Sequence, residues 1–247
     1  MGRGGVRFDR RTLAVVLKAC AGLEECGLGI QVHAFLVKLG FEDDVVAGSA
    51  LLDMYAKCKR LDDSLRVFSG ISEKNWVCWS AIIAGCILNY RYVEGFRLFK
   101  DMLKLGVGVS QSIYASVFRC CADLGALRLG TQLHGHAVTS HFGSDVIVGT
   151  ATLDMYAKCG SMRDARKLFN SLPKPRLQSY NAIIVASGRN GDGIEALRLF
   201  LRLLRSGLDF DAITLSGVFS ACASTKRENN LQKFVEEEDG KMGMVKN

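Results

Sequence analysis

Proline is almost missing from this chain, with two residues in 247. Proline breaks helices and enriches disordered linkers, so its scarcity beside a composition about half apolar favours a well-buried, mostly helical core. No apolar run approaches the ~20 residues that cross a bilayer; the longest candidate is only Ala81 to Leu88. Cys-x-x-Cys pairs are absent although there are nine cysteines, and no secretion signal opens the chain. That argues against both a zinc site and a disulfide framework, and leaves small packed thiols as the reading. There is no glycine-rich phosphate loop and no Gly-x-Ser-x-Gly elbow, so no catalytic residues, cofactor or small-molecule substrate are expected. Acidic residues are outnumbered, 25 against 32 basic, for a net charge of +7. Residues 226–247 hold five of each sign, so the excess lies entirely before them. Such a surplus suits a polyanion, and equally a merely soluble basic protein.

Repetition is what the chain does have. Leu52-Asp53-Met54-Tyr55-Ala56-Lys57-Cys58 recurs letter for letter as Leu153-Asp154-Met155-Tyr156-Ala157-Lys158-Cys159, 101 residues later. Within that period fall three helix pairs of unequal length: 10–44, 45–75 and 76–110, then 111–145, 146–176 and 177–211. The twenty-fourth position of each unit carries a ring: His33, Phe68, Phe99, His134, Phe169 and Phe200. Each unit reads as two short helices with apolar residues at three- and four-residue spacing, as in Val93, Phe96, Phe99 and Leu103. Gly40, Gly106 and Gly207 suit the left-handed residue just past a helix end. Small residues such as Ala81, Ala84, Gly85, Ala182 and Ala186 line the first helices and let backbones approach closely. Neither helix of a unit buries its stripe alone, so stacked neighbours must complete the core.

These residues resemble a known family. Leu52–Cys58, Trp79-Ser80-Ala81-Ile82-Ile83-Ala84-Gly85, Tyr180-Asn181-Ala182-Ile183-Ile184 and Glu195-Ala196-Leu197-Arg198-Leu199-Phe200 look like the pentatricopeptide repeat. The alternation of long (10–44, 111–145), short (45–75, 146–176) and standard (76–110, 177–211) units looks like its plant class of mixed repeats. The likeness runs from residue 1 to about 224. A tetratricopeptide array, with its 34-residue unit, is the structural alternative, and the 31-residue units do not fit it. The implied fold class is all-α, a right-handed α-solenoid superhelix of stacked helix–turn–helix repeats. Residues 1–9 read as the end of a truncated repeat, so a targeting segment is expected upstream. Residues 212–224 read as the start of a further long repeat, and 225–247 as a divergent, partly helical or frayed tail.

The family reads one base per helical repeat with two or three side chains. The resemblance implies that the fifth and last residues of a unit contact the base edge. The second, one helical turn before the fifth, packs on the base face. The fifth/last pairs are Ala14/Asp44, Ser49/Asn75, Ser80/Ser110, Ala115/Asp145, Thr150/Arg176 and Asn181/Asp211. Asn181 with Asp211 matches the uracil-preferring pair and Ser49 with Asn75 the adenine-preferring pair. Ser80/Ser110 and Thr150/Arg176 depart from the standard combinations and lean at most to purine. Ala14 and Ala115 have no hydrogen-bonding side chain and are expected to brace the stack. Val46, Val77 and Ile147 fit the stacking position, whereas Arg11, Ser112 and Gln178 depart from it. Units 45–211 then suggest 5′-A-R-N-R-U-3′, R being a purine and N any base. Small fifth residues would serve close helix packing equally well, and phosphate contacts by Lys and Arg are expected to supply much of the affinity.

His134-x-His136, with His141 nearby, suggests a metal at first sight. Residues two apart on a helix point about 200° apart, and His134 holds the ring position shared with Phe68 and Phe169, so packing is expected instead. Plant members with mixed repeats often guide cytidine-to-uridine editing, some through a terminal deaminase-like domain. That chemistry needs His-x-Glu and Pro-Cys-x-x-Cys, and neither occurs here. The expectation is therefore a non-enzymatic binder of single-stranded RNA in a plant mitochondrion, or alternatively a chloroplast. It would position transcripts for editing or processing by partner proteins, with organelle RNA-editing factors among its partners and no membrane. The rival reading is a protein–protein interaction scaffold.

Overall fold

The computed structural model describes residues 9–41 and 43–225. The expectations for the truncated repeat before Asp9 and for the tail at 226–247 lie outside the described residues. Among the described residues are thirteen α-helices and no strand, and no helix is long and apolar enough to cross a membrane. The helices are α1 (Arg10–Leu23), α2 (Cys26–Lys38), α3 (Val45–Lys57), α4 (Leu61–Gly70), α5 (Trp76–Leu88) and α6 (Tyr92–Lys104). There follow α7 (Gln111–Leu124), α8 (Leu127–Ala137), α9 (Val146–Lys158), α10 (Met162–Ser171), α11 (Leu177–Arg189), α12 (Gly193–Arg205) and α13 (Ala212–Thr225). The odd-numbered helices up to α11 open on residues 10, 45, 76, 111, 146 and 177. The chain forms two compact units, one up to Val117 and one from Phe118.

The two kinds of helix differ because their surroundings differ. In the first unit α3 packs between α1 and α5; in the second, α11 packs between α9 and α13. A helix flanked on both sides must be apolar over most of its girth, and α3 buries Ala47, Ala50, Leu51, Leu52, Met54 and Tyr55. The even-numbered helices bury one stripe only. α12 buries Ala196, Leu199 and Leu203 and turns Arg198, Arg202 and Arg205 outward, the last two where the helix dipole favours cations.

Close approach is required where first helices meet. A Cβ placed on Gly85 would lie 2.8 Å from the Cβ of Ala56 on α3, nearer than such atoms ever stand. Gly29 on α2 faces Met54, and Gly130 on α8 faces Met155, in the same crowded way one period later.

The ring at the twenty-fourth position meets a second ring edge-on. His33 meets Tyr55, Phe68 meets Trp79 and Phe99 meets Tyr114 in the first unit. His134 meets Tyr156, Phe169 meets Tyr180 and Phe200 meets Phe210 in the second. Such pairs contribute about 0.5–1.5 kcal/mol each beyond the area they bury. The two histidines add a hydrogen bond between Nδ1 and the tyrosine hydroxyl, 2.8 Å for His33 and 3.0 Å for His134.

The turns between helices reuse left-handed positions, with different residues in the two periods. Gly191 (φ 79°) stands where Tyr90 (φ 60°) stands 101 residues earlier, and Gly40 (φ 72°) corresponds to His141 (φ 66°). After α8 the chain passes through a π-helical turn, Val138–Phe142, that contains His141.

Candidate nucleic-acid interface

The last residue of each unit immediately precedes the next first helix, and this sets its chemistry. Asp44 caps α3, accepting from the N–H groups of Val46 and Ala47 at 3.0 and 2.9 Å. Asn75 caps α5 through Oδ1, accepting from Val77 and Cys78, and Asp145 caps α9 from Ile147 and Val148. A short polar acceptor there satisfies helix N–H groups that have no partner within the helix. Arg176, before α11, makes no such cap. Asp44 also pairs with Arg10 at 2.8 Å.

Asp211 does more. Its Oδ1 accepts from the N–H of Thr214 at 2.9 Å, in the first turn of α13. Asn181 Nδ2 donates to Asp211 Oδ1 and Oδ2 at 3.0 and 3.1 Å. Thr214 Oγ lies 2.5 Å from Asn181 Oδ1 and 3.0 Å from Asp211 Oδ1. Asn181 is 7% exposed and Thr214 fully buried, while Asp211 stays half-exposed. The Thr214 N–H, then its hydroxyl and the Asn181 amide, hold the Asp211 carboxyl below the usual carboxylate range against the opposing effect of burial.

The other fifth/last pairs are looser. Ser80 Oγ stands 3.4 Å from Ser110 Oγ, which is itself 2.8 Å from Ser112 Oγ. Ser49 Oγ donates to the carbonyl of Val46 at 3.0 Å, while Asn75 is occupied with its cap, so the structure records no bond between the two. Thr150 Oγ donates to the carbonyl of Val146 at 2.7 Å and meets Ser179 Oγ, not Arg176, at 3.0 Å. Ala14 is buried in the core cluster of the first unit. Among the second residues of the units, Val46 and Ile147 are exposed and Val77 is half-buried. Arg11, Ser112 and Gln178 are exposed as well.

Gln178, Asn181, Val185 and Arg189 fall at three- and four-residue steps and therefore share one face of α11. Val185 and Arg189 line a cleft of about 360 Å³ with Ala212, Ile213, Ser216, Gly217 and Ser220 of α13. The face that carries the Asn181–Asp211 pair thus continues into an open groove bearing a cation.

Five of the nine thiols are packed. Burial pushes Cys86, Cys120 and Cys121 up to about 12, so all three remain neutral. Cys20 and Cys78 are buried too, whereas Cys26, Cys58, Cys159 and Cys222 are partly exposed.

Comparison with known proteins bears on the repeats directly. The chain matches the PPR repeat family at residues 49–75, 77–107, 150–174 and 178–208. These four segments are pentatricopeptide repeats. A pentatricopeptide repeat-containing protein of Arabidopsis thaliana, designated mitochondrial, is 58% identical over 92% of this chain and 25% of its own length. Another from the same plant is 37% identical over 89% of this chain and 30% of its own length. The chain therefore spans between a quarter and a third of these pentatricopeptide relatives. Among solved structures, the maize pentatricopeptide repeat protein PPR10 superposes with a TM-score of 0.76 at 21% identity, over 98% of this chain and 34% of that one. PPR10 in complex with an 18-nucleotide psaJ RNA element gives the same TM-score at 20% identity, over 94% of this chain and 35% of that one. The fold is that of the pentatricopeptide α-solenoid.

Two roles at this candidate site lie outside the repeat pattern. The capping role of the last residue was signalled by Asp, Asn or Asp directly before Val45, Trp76 and Val146. The joining of Thr214 to Asn181 and of Ser179 to Thr150 had no such signal, because those residues belong to different units.

Proposed function

We propose that this chain binds single-stranded RNA along the exposed face of its first helices, one base per unit, and that Asn181 and Asp211 select uracil. The observation that carries the reading is the bonded pair itself. The two oxygens of one carboxylate lie too close together to take both hydrogens of a widely diverging NH2 group. Asn181 therefore spends one N–H on Asp211 and keeps one to donate. A carboxylate acceptor beside an amide donor complements the N3–H and adjacent carbonyl of uracil. Cytosine N3 carries a lone pair and would meet the carboxylate acceptor to acceptor.

Elsewhere the readout is coarser. Asn75 uses only its oxygen for the cap, so its NH2 remains for a base beside Ser49. Ser80, Ser110 and Thr150 offer hydroxyls, while Val46, Val77 and Ile147 offer apolar surface for the base faces. The suggested site is 5′-A-R-N-R-U-3′, with Arg189 among the cations that meet phosphate. In this reading the chain performs no catalysis. It positions a transcript in a plant mitochondrion, or alternatively a chloroplast, for editing or processing by partner proteins; the mitochondrial designation of the 58% identical relative supports the first location.

The test is equilibrium binding to short RNAs that do or do not carry the matched run, across a salt series. Preference for the matched RNA at every salt concentration, with overall affinity falling as salt rises, is the expected result. Equal binding to both, or none, would overturn the reading and favour a protein-binding scaffold.

A further inference from the structure

The recognition pair of unit 177–211 is held by a residue outside the unit. Thr214 is the third residue of the helix that follows, fully buried, and its hydroxyl lies 2.5 Å from Asn181 Oδ1. That hydroxyl carries one hydrogen and has two acceptors in reach, the closer of which is the amide oxygen. Its own oxygen also accepts from the Asp211 N–H at 3.2 Å. Turning the amide over would put Asn181 oxygen against the carboxylate and its NH2 against a hydroxyl already held by a donor. The contacts on either side therefore enforce the same orientation.

The geometry points to Thr214 as a positioning residue for base selection at unit 177–211: it occupies the acceptor end of the Asn181 amide so that only a donor N–H faces the base. This deepens the reading proposed above and rests on it. A free Oδ1 would accept from the exocyclic amine of cytosine; with Oδ1 engaged, that option is closed. The same arrangement recurs one unit earlier. Ser179, also fully buried and third in its helix, meets the fifth residue Thr150 at 3.0 Å. The following units' third residues Cys78 and Ile113 offer no hydroxyl, and Ser49 and Ser80 instead bond Val46 and Ser110. Where the third residue bears a hydroxyl, the reading group is shared between successive repeats.

The experiment measures the whole chain binding two RNAs that differ only in U or C opposite unit 177–211. It compares the native protein, Thr214→Val, Thr214→Ser and Asn181→Ala. Valine keeps the shape of threonine and removes the hydroxyl, so the U-over-C ratio is expected to fall roughly fivefold, the equivalent of one hydrogen bond. Serine restores the ratio, which a purely structural role for the γ-methyl would not. A native ratio that Thr214→Val leaves unchanged overturns the role of Thr214 while leaving RNA recognition standing. A native protein with no U-over-C preference, matched by Asn181→Ala, overturns the RNA reading and this inference with it. Should Thr214→Val lose its helicity, the Asn181 side-chain amide protons of the native protein decide the matter. Slow solvent exchange of one and fast exchange of the other supports the held orientation, and fast exchange of both overturns it.

Discussion

In the proposed reading a single amide and a single carboxylate give this chain its sharpest discrimination, and both residue types are available for other work by default. Asparagine and aspartate beside a helix start most often cap it, as Asp44, Asn75 and Asp145 do. Asp211 is distinguished by bonding the fifth residue of its own unit, Asn181, as well as the next backbone. Asp211→Asn replaces one acceptor oxygen by a donor. It is expected to reduce the preference for uracil by about 1–3 kcal/mol, the worth of a bidentate base contact, as read by fluorescence anisotropy with U- and C-containing RNAs. The native preference should be flat between pH 5 and 8, because the carboxyl is held below its usual range. The sign for stability follows: the contribution of Asp211 is complete above the unfolded value near 3.9 and is lost as pH falls through the lowered folded value. The pair at 181 and 211 was readable from the family pattern. Its third member, Thr214, was not, because a buried threonine on a helix start has an ordinary explanation as part of the cap.

At the scale of helices and turns, the 101-residue repetition supplies its own controls. Tyr90 holds a left-handed conformation that costs an L residue about 1–2 kcal/mol, and Gly191 holds the same position one period later without that cost. Tyr90→Gly is therefore expected to raise stability by about 0.5–1 kcal/mol once the extra unfolded-state freedom of glycine is deducted, and so to raise the thermal midpoint. A calorimetric scan that showed a fall would mean that the tyrosine ring stabilises the turn by more than its backbone loses. The opposite substitution belongs to the helix contacts: Gly85→Ala drives a methyl into Ala56 and should destabilise by about 1–3 kcal/mol in urea denaturation. The helices were legible because stripes at three- and four-residue spacing and glycine stops are local signals. The π-helical turn at Val138–Phe142 was not, since it arises where His141 takes the position that Gly40 fills in the earlier period.

Across the whole chain, the rings at the twenty-fourth position were legible as a column but their partners were not. Trp79, Tyr114 and Tyr180 are fourth in the following unit, whereas Tyr55 and Tyr156 are eleventh, so no single spacing announces the contacts. The two histidine members are expected to give the chain a pH dependence. Burial lowers His33 and His134 below the ordinary imidazole value of about 6.5, more than the nearby Asp63 and Asp164 raise them. The unfolded chain then takes up protons first as pH falls. Stability is complete above about 6.5 and declines from there down to the lowered folded values. Replacing both residues by Phe, the residue at this position in the other four units, is expected to flatten the thermal midpoint between pH 7 and 5. An unchanged slope would assign the dependence to other groups.

The contact between Asn181 and Thr214 also bears on how such arrays can be rebuilt. If each reading head straddles a seam, a unit excised at its borders and grafted elsewhere carries only part of its specificity, and the rest comes from whichever helix is spliced behind it. Transplants cut after the third residue of the downstream helix, here after Thr214, would move the intact head. Those cut after Asp211 would leave the amide to find its own orientation.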